Sequence, residues 1–342
     1  ADIAGCTWRK RATAKAGDAM PNSWVRISSD NAVTIQCARS EMGQGVYTSL
    51  PTLLAEELGV DITKISVEMA PAGEPYINAM VGGQLTGGST SVREAYQRLR
   101  VAGAQARIVL IQAAAQKWGV AESACMAEDA HVFGPGGSKA TYGELADAAS
   151  KLTPPKEPAL KSPKHFKYVG TPIKRFDTPQ KVNGTAEYGI DVQAPGMMIA
   201  TLAQSPVLGG KVKSFDASAA KNMPGVKDVV QISSGVAAVA DTYWHARKAL
   251  EAVKIDWVEG EAATQSTADI AAALRTAANE PGAPYKKIGD ADAAMKTAAT
   301  KVEAMYELSY VPHATMEPMN FFADVKADSC TLVGPTQFQQ MA

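Results

Sequence analysis

The amino-acid sequence predicts a multi-domain α+β protein. At 342 residues the chain exceeds one typical domain. Short β-prone runs and helical patterns alternate along it, as in an α+β architecture. Residues 152–163, LTPPKEPALKSP, are too rich in proline to continue a helix or a central strand and read as a semi-rigid linker. The expected organisation is an N-terminal extension over residues 1–21, an αβ domain over 22–151, the linker over 152–164 and a second α+β domain over 165–261. A third domain begins in 262–342 and stops one element after a hairpin, before its core is closed.

Residues 1–21 carry Arg9, Lys10, Arg11 and Lys15 among small residues without periodicity and read as a tail. Residues 24–28 and 32–36 are β-prone and joined by Ser29-Asp30-Asn31, which predicts a hairpin. A helical pattern over about 48–58 stops at Gly59. Residues 65–69 read as a strand, 71–85 as a loop, and 131–133 as another strand. Thr141 with Glu144 three residues on predicts a capping box. In the second domain the predicted elements are a strand over 198–204, a helix over 214–223, a strand over 226–232, a short apolar run over 236–240, a helix over 242–253 and a strand over 254–258. Nothing in that domain has the look of a catalytic group. Two alanine-rich helical patterns fill 262–300, an alternating strand is expected over 302–310, and a hairpin over 321–333 turns around Ala327-Asp328-Ser329.

Residues 82–118 hold the most informative stretch. Gly82, Gly83, Gly87 and Gly88 lead through Ser89, Thr90 and Ser91 into a long helical pattern, in which Val92, Ala95, Tyr96, Leu99, Ala102, Ala106, Val109, Leu110 and Ala113 recur at spacings of three and four. Gly103 and Ala104 allow a close approach by a neighbouring element. A glycine-rich helix start is a place for an anion, because the first-turn N–H groups have no internal partner and carry partial positive charge. The hydroxyls of Ser89, Thr90 and Ser91 have two possible tasks, capping the helix or adding donors to a phosphate. Neither GxGxxG nor GxxxxGK[ST] is present, which argues against a Rossmann or P-loop nucleotide enzyme.

Composition narrows the function further. Lysine and arginine number 34 against 35 aspartates and glutamates, so no global field draws the chain to nucleic acid or an anionic membrane, and any phosphate must be held by local geometry. Cys6, Cys37, Cys125 and Cys330 lie far apart, as do His131, His165, His245 and His313. Such spacing disfavours a protein-ligated metal or iron–sulfur site. No run of 18 or more apolar residues occurs. Ile3-Ala4-Gly5-Cys6 has the form of a lipobox without the hydrophobic segment that should precede it.

Four patterns in order then resemble the molybdenum-binding large subunits of the xanthine dehydrogenase and aldehyde oxidase family. They are Glu41-Met-Gly-Gln-Gly45 with the helix ending Ala-Glu-Glu-Leu-Gly59, Thr86-Gly-Gly-Ser-Thr-Ser91, Thr171-Pro…Asp177-Thr-Pro-Gln-Lys-Val182…Gly184, and His313-Ala-Thr-Met-Glu-Pro318. Their order is similar to the isoquinoline 1-oxidoreductase β-subunit branch, which includes exported bacterial aldehyde dehydrogenases. The resemblance covers about residues 22–342. It implies molybdopterin-binding αβ domains plus an α/β-hammerhead domain over 165–261.

The cofactor implied by the resemblance is molybdopterin cytosine dinucleotide with Mo, the metal being held by the cofactor. Gly43, Gln44 and Gly45 are expected against the pterin, and Thr86, Gly87, Gly88, Ser89, Thr90 and Ser91 around phosphate or pterin. The implied reaction oxidises an aldehyde to a carboxylic acid or hydroxylates an N-heteroaromatic. Electrons would leave to [2Fe–2S] clusters on a small partner subunit, since four cysteines cannot supply the thiolates of two such clusters, with a c-type cytochrome as a further candidate partner. The family's general-base glutamate and its Gly-Gly-Gly-Phe-Gly loop do not occur in this sequence, so no catalytic residue is identified, and both are expected on a C-terminal half or a companion chain. Glu317 reads as a domain-organising carboxylate and His313 as a loop histidine. Tyr310-Val311-Pro312 stands where xanthine dehydrogenases place a glutamine. The branch implies a periplasmic location, with the cytoplasm as the alternative. A non-catalytic cofactor-binding or assembly module is the rival reading.

Overall fold

The structure, a computed structural model, describes residues 19–341. The lipobox-like residues and most of the expected extension lie outside the described residues. The chain divides into two compact units, one of residues up to Val192 together with Ala314 onward, the other Gln193–His313.

The first unit opens with β1 (Ala19–Asn22), β2 (Val25–Ile27) and β3 (Val33–Cys37), then α1 (Val46–Leu58) and β4 (Ile65–Met69). β1, β2 and β3 pair antiparallel, so the expected hairpin is present, and β3 pairs parallel with β4. A parallel neighbour needs a crossover, and α1 supplies it. β1 starts at Ala19, inside the stretch expected as a tail. α1 ends at Gly59 in the left-handed conformation (φ 77°), whose N–H bonds the Ala55 carbonyl, a glycine stop by the mechanism expected.

α2 (Ser91–Trp118) is 28 residues long and packs along α1. Gly103 is the contact point. A Cβ there would overlap the Leu54 carbonyl oxygen and lie 3.0 Å from Glu57 Cβ, so the backbones approach because no side chain separates them. After α2 come β5 (Met126–Glu128), β6 (His131–Phe133) and β7 (Lys139–Thr141), an antiparallel sheet, and α3 (Tyr142–Ser150). Thr141 and Glu144 form the expected capping box. The core comprises the inner faces of these elements, including Ile27, Ile35, Leu54, Leu58, Leu99, Leu110, Tyr142 and Leu145.

The proline-rich segment differs from its sequence expectation. It is a strap laid on the first unit, and the two units divide at Val192 and Gln193. Proline leaves a backbone short of donors but rich in carbonyls, and α2 meets it with donors: Arg100 Nη2 to Lys161 O (2.8 Å), Gln105 Nε2 to Pro155 O (2.9 Å) and Arg107 Nη2 to Ala159 O (3.0 Å). Glu57, fully buried, accepts from Arg100 Nε (2.9 Å) and the Lys161 N–H (3.0 Å). Glu56, equally buried, accepts from the N–H groups of Lys167, Tyr168 and Val169 at 2.9, 2.6 and 3.2 Å. Beyond the strap lies the short α4 (Thr178–Asn183).

The second unit contains β8 (Ile199–Ala203), β9 (Lys211–Asp216), α5 (Ser218–Lys221), β10 (Val226–Ile232), β11 (Gly235–Ala240), α6 (Tyr243–Ala252), β12 (Lys254–Val258), α7 (Thr267–Ala277) and α8 (Ala291–Thr297). Its sheets are β10-β11-β8 and β12-β9, both antiparallel. The helix expected over 214–223 is replaced by the end of β9 and the single turn α5. Val212 and Phe215 pack on the small core of Ala220, Val229, Val236 and Ala238, and pairing with β12 outweighs local helix propensity. The strand expected over 302–310 is absent. That stretch has no regular secondary structure and is exposed, and no described strand pairs with it, so its alternation has no ladder to join. The first unit then receives β13 (Phe322–Val325) and β14 (Cys330–Val333), the expected hairpin. The whole is α+β, as the sequence predicts. Residues 314–342, expected within a third domain, belong instead with the first unit.

Two stability outcomes follow from this packing. Gly103→Ala should destabilise the chain by about 2 kcal/mol in urea unfolding, because overpacking against backbone outweighs the usual helix gain of alanine. Glu57→Ala should cost about 3–5 kcal/mol by leaving buried guanidinium groups without their carboxylate, and limited proteolysis should then cut within residues 155–169.

Candidate functional site: two glycine loops and a C-terminal segment

The loop of residues 40–45 joins β3 to α1. Gly43 and Gly45 have φ of 99° and 89°, a left-handed backbone that disfavours any side chain, and no atom lies within 4 Å of where a Cβ would sit on either. Glycine is therefore needed here for conformation and not for space. Glu41 folds back over the start of α1. Its Oε1 accepts from the Gly43 N–H (2.7 Å) and the Gly45 N–H (3.0 Å), and its Oε2 from the Tyr47 N–H (2.9 Å). A carboxylate at a helix N-terminus is favourable for charge and for hydrogen bonding. Gln44 is also turned inward, with Oε1 accepting from the Met42 N–H (2.6 Å) and Nε2 donating to Ser40 O (2.9 Å). The loop's donors at Met42, Gly43 and Gly45 are thus spent on its own side chains.

The second loop is different. Thr86 is buried, and its Oγ1 accepts from the Ser40 N–H at 2.8 Å, which joins the two predicted loops directly. Thr90, the residue before α2, gives its hydroxyl to Gly87 O (2.8 Å) and accepts from Asn78 Nδ2 (2.7 Å). Consequently no side chain caps α2. Gly88 and Ser89 are exposed and left-handed, with φ of 61° and 53°. Left-handed serine is uncommon and is held here by the surrounding turn. Of the two tasks open to Ser89, Thr90 and Ser91, capping is therefore not the one performed. The helix start remains a donor-rich, positively polarised surface.

A third strand of chain closes the site, and nothing in the sequence reading singled it out. The Thr86 N–H donates to Gln337 O and Gln337 Nε2 returns a bond to Thr86 O, both at 2.8 Å. Ser40 Oγ donates to Thr336 O (2.6 Å), Gln339 Nε2 donates to Ser40 Oγ (3.0 Å), and the Gln84 N–H donates to Gln340 Oε1 (2.7 Å). A Cβ on Gly83 would fall 2.8 Å from the Phe338 ring, so glycine is required there for close approach. Gln339 is 8% exposed and its Oε1 is buried without a partner. The available signal was three glutamines around Phe338, a polar cluster with no motif spacing.

Behind the loops, Arg39 is buried and its Nη1 donates to Ala38 O and Tyr76 O, while Nη2 meets Glu94 at 2.8 Å. Burial lowers the Arg39 pKa and the Glu94 charge works against that shift. Arg175 reaches the first loop from residues beyond the strap, bonding Gly43 O (2.7 Å), Glu41 Oε1 (3.1 Å) and Asp177. The Arg175 guanidinium, with Lys181, holds the Asp177 carboxyl well below the usual carboxylate range. A depressed carboxylate contributes stability above its unfolded pKa and loses it as pH falls through the folded value, so this ion pair outlasts ordinary carboxylates on acidification.

Glu317 accepts from the Ile190 N–H (3.1 Å) and Asn320 Nδ2 (2.9 Å), the organising role its sequence context suggested. His313 lies in the other unit and is exposed. Burial pushes the Cys37 thiol up to about 11, which makes it a poor nucleophile. Among the described residues no group of three or more His, Cys, Asp or Glu could hold a metal, and no helix is long and apolar enough to cross a membrane.

Two glycine loops stitched side by side through Ser40 and Thr86, one with an uncapped helix start, form the candidate site. Residues 3–194 match the molybdopterin cofactor-binding domain, and the chain belongs to that family. It is 34% identical over 273 residues to the β subunit of isoquinoline 1-oxidoreductase of Brevundimonas diminuta, covering 69% of this chain and 35% of that protein. It is 29% identical over 337 residues to the membrane-bound aldehyde dehydrogenase (pyrroloquinoline-quinone) of Gluconacetobacter polyoxogenes, covering 94% of this chain and 43% of that protein. The chain thus spans less than half the length of these relatives. Among solved structures, the aldehyde oxidoreductase of Desulfovibrio gigas overlaps 46% of this chain and 22% of its own, at 22% identity and a TM-score of 0.32.

Thr86→Val removes the acceptor of the Ser40 N–H without changing side-chain volume. It should cost about 1–3 kcal/mol in urea unfolding, the penalty for stranding a buried donor, and hydrogen exchange at Ser40 should accelerate.

Proposed function

We propose that this chain forms part of the active-site subunit of a molybdopterin-dependent oxidoreductase that oxidises an aldehyde to a carboxylic acid or hydroxylates an N-heteroaromatic. The observation that carries the reading is the uncapped, glycine-rich start of α2, bonded through Thr86 and Ser40 to the loop of residues 40–45 within a family-matched segment. The residues present fit a polyanionic pterin dinucleotide. A near-neutral chain must hold phosphate with backbone donors and hydroxyls, and Gly87, Gly88, Ser89 and Ser91 offer them. The orphaned Gln339 Oε1 is an acceptor suited to a ring N–H. Gly43 and Gly45, whose N–H groups are internally spent, would with Gln44 meet the ring system by packing and through the outward edge of the loop.

When bound, such a cofactor supplies the two-electron oxidation of an electron-poor carbon. The chain's own task is to bind and orient it. Thr86 and Thr90 fix the second loop, Glu41 and Arg175 the first, and the general base belongs to residues outside this sequence. The cofactor form is molybdopterin cytosine dinucleotide with Mo, and electrons pass to [2Fe–2S] clusters on a small partner subunit. The complex works in the periplasm. The name of the Gluconacetobacter relative carries pyrroloquinoline quinone, so the test must identify the cofactor and not assume it.

The chain purified with its natural partners should contain stoichiometric molybdenum and iron and release a cytidine nucleotide on hydrolysis. Recovery of a quinone without molybdenum would refute the pterin assignment, and a stable complex lacking stoichiometric metal would favour the non-catalytic assembly module. Ser89→Asp adds a negative charge just ahead of the α2 start, at a backbone conformation that aspartate tolerates. It should leave unfolding stability unchanged or raised while lowering pterin content by about tenfold, since an internal anion competes with phosphate. Ser89→Asn, its neutral counterpart, should retain the cofactor.

A further inference from the structure

The geometry points to Arg175, held by Asp177, as a positioning residue for the loop of residues 43–45, an inference that rests on the cofactor-binding reading above. Two left-handed glycines separated by a single residue leave that loop with little conformational preference of its own. What fixes it is Glu41, whose carboxylate gathers the N–H groups of Gly43, Gly45 and Tyr47. The Glu41 side chain is only 12% exposed, so its charge needs a partner, and Arg175 Nη2 provides one at 3.1 Å. The same guanidinium pins the loop's backbone through Nη1 to Gly43 O at 2.7 Å. One planar fork thereby sets both the anion that holds the loop and the carbonyl at its apex.

The fork is itself aimed. Asp177 takes Arg175 Nε at 3.0 Å and Nη2 at 2.8 Å, a bidentate pairing that fixes the plane of the guanidinium. Lys181, one turn on, donates to the same Asp177 Oδ2 that Arg175 Nη2 takes, at 2.5 Å. Between them, the Phe176 N–H donates to Thr48 Oγ1 in the first turns of α1 at 3.0 Å, which anchors residues 175–177 to the helix that the loop precedes. A lysine at 175 offers a point charge and cannot serve Gly43, Glu41 and Asp177 in one plane.

The test uses the full chain and its natural complex. In Arg175→Met, which keeps the stem and removes the fork, amide exchange at Gly43, Gly45 and Tyr47 should accelerate by about tenfold while exchange at Gly59 and Gly119 stays as in the wild type. Pterin content of the purified complex should fall in parallel, and Arg175→Lys should recover only part of both. Asp177→Asn, a milder second variant that leaves Arg175 in place, should shift both readouts in the same direction by a smaller factor. Unchanged exchange at the three amides in Arg175→Met overturns the proposal. Accelerated exchange with full pterin content overturns it too, by showing that the loop's order does not serve the cofactor. A wild-type complex without pterin overturns the cofactor reading itself, an outcome distinct from either because it appears before any substitution is made.

Discussion

The buried pair Glu56 and Glu57 at the end of α1 is the constraint on which the first unit depends. Both carboxylates are almost wholly out of water, and they sit at the negative end of a helix, where the macrodipole opposes them. Burial without partners would be prohibitive. Arg100 and Arg107 on α2 answer part of this demand, which requires α2 to lie against α1, and Gly103 makes that approach possible. The rest must come from backbone donors, and the strap brings those of Lys161, Lys167, Tyr168 and Val169. A carboxylate pair in one helix thus dictates the path of the chain some hundred residues later. That path ends at Arg175, beside the loop at the opposite end of the same helix.

The parts of this arrangement that were legible in the sequence are those set by local chemistry. The α1 stop at Gly59, the capping box at Thr141 and the turn between β13 and β14 each depend on a few adjacent residues. The long helix was legible because its periodicity is sustained. Misreadings fell where distant partners decide. Ser214 to Asp216 have helical neighbours but form strand because β12 offers a ladder. Residues 302–310 alternate like a strand, yet no described strand pairs with them, so the pattern states a requirement that the described fold does not meet. The proline-rich segment was read by composition as a spacer, whereas its carbonyls make it a docking partner for donor side chains.

The candidate site shows the same division. Both glycine loops could be found from the sequence, since left-handed turns and helix starts require particular residues. Their junction through Ser40 and Thr86, and the closing segment around Gln337 and Gln339, could not. The junction spans 46 positions and the closing bonds 251 to 299, and neither serine, threonine nor glutamine announces a partner at such range. Arg175 is hidden for a related reason, because it lies beyond the proline-rich stretch, where composition alone places the start of another domain.

The two loops, both glycine-rich, end up chemically unlike. Each precedes a helix, and each presents left-handed backbone to its surroundings. At α1 the polarised N–H groups are neutralised by the chain's own Glu41, so a second anion there would face a carboxylate. At α2 no side chain takes that place, because Thr90 is turned toward Asn78 and Gly87. The start of α2 therefore still offers backbone donors, whereas the loop before α1 has spent its own on Glu41. The difference between the two helix starts needs no excess of basic residues, and the chain's formal net charge is −1. Glu41 takes the backbone donors at the start of α1, whereas Glu94, the carboxylate in the first turn of α2, is turned to Arg39 and Arg98 and leaves the backbone donors there open.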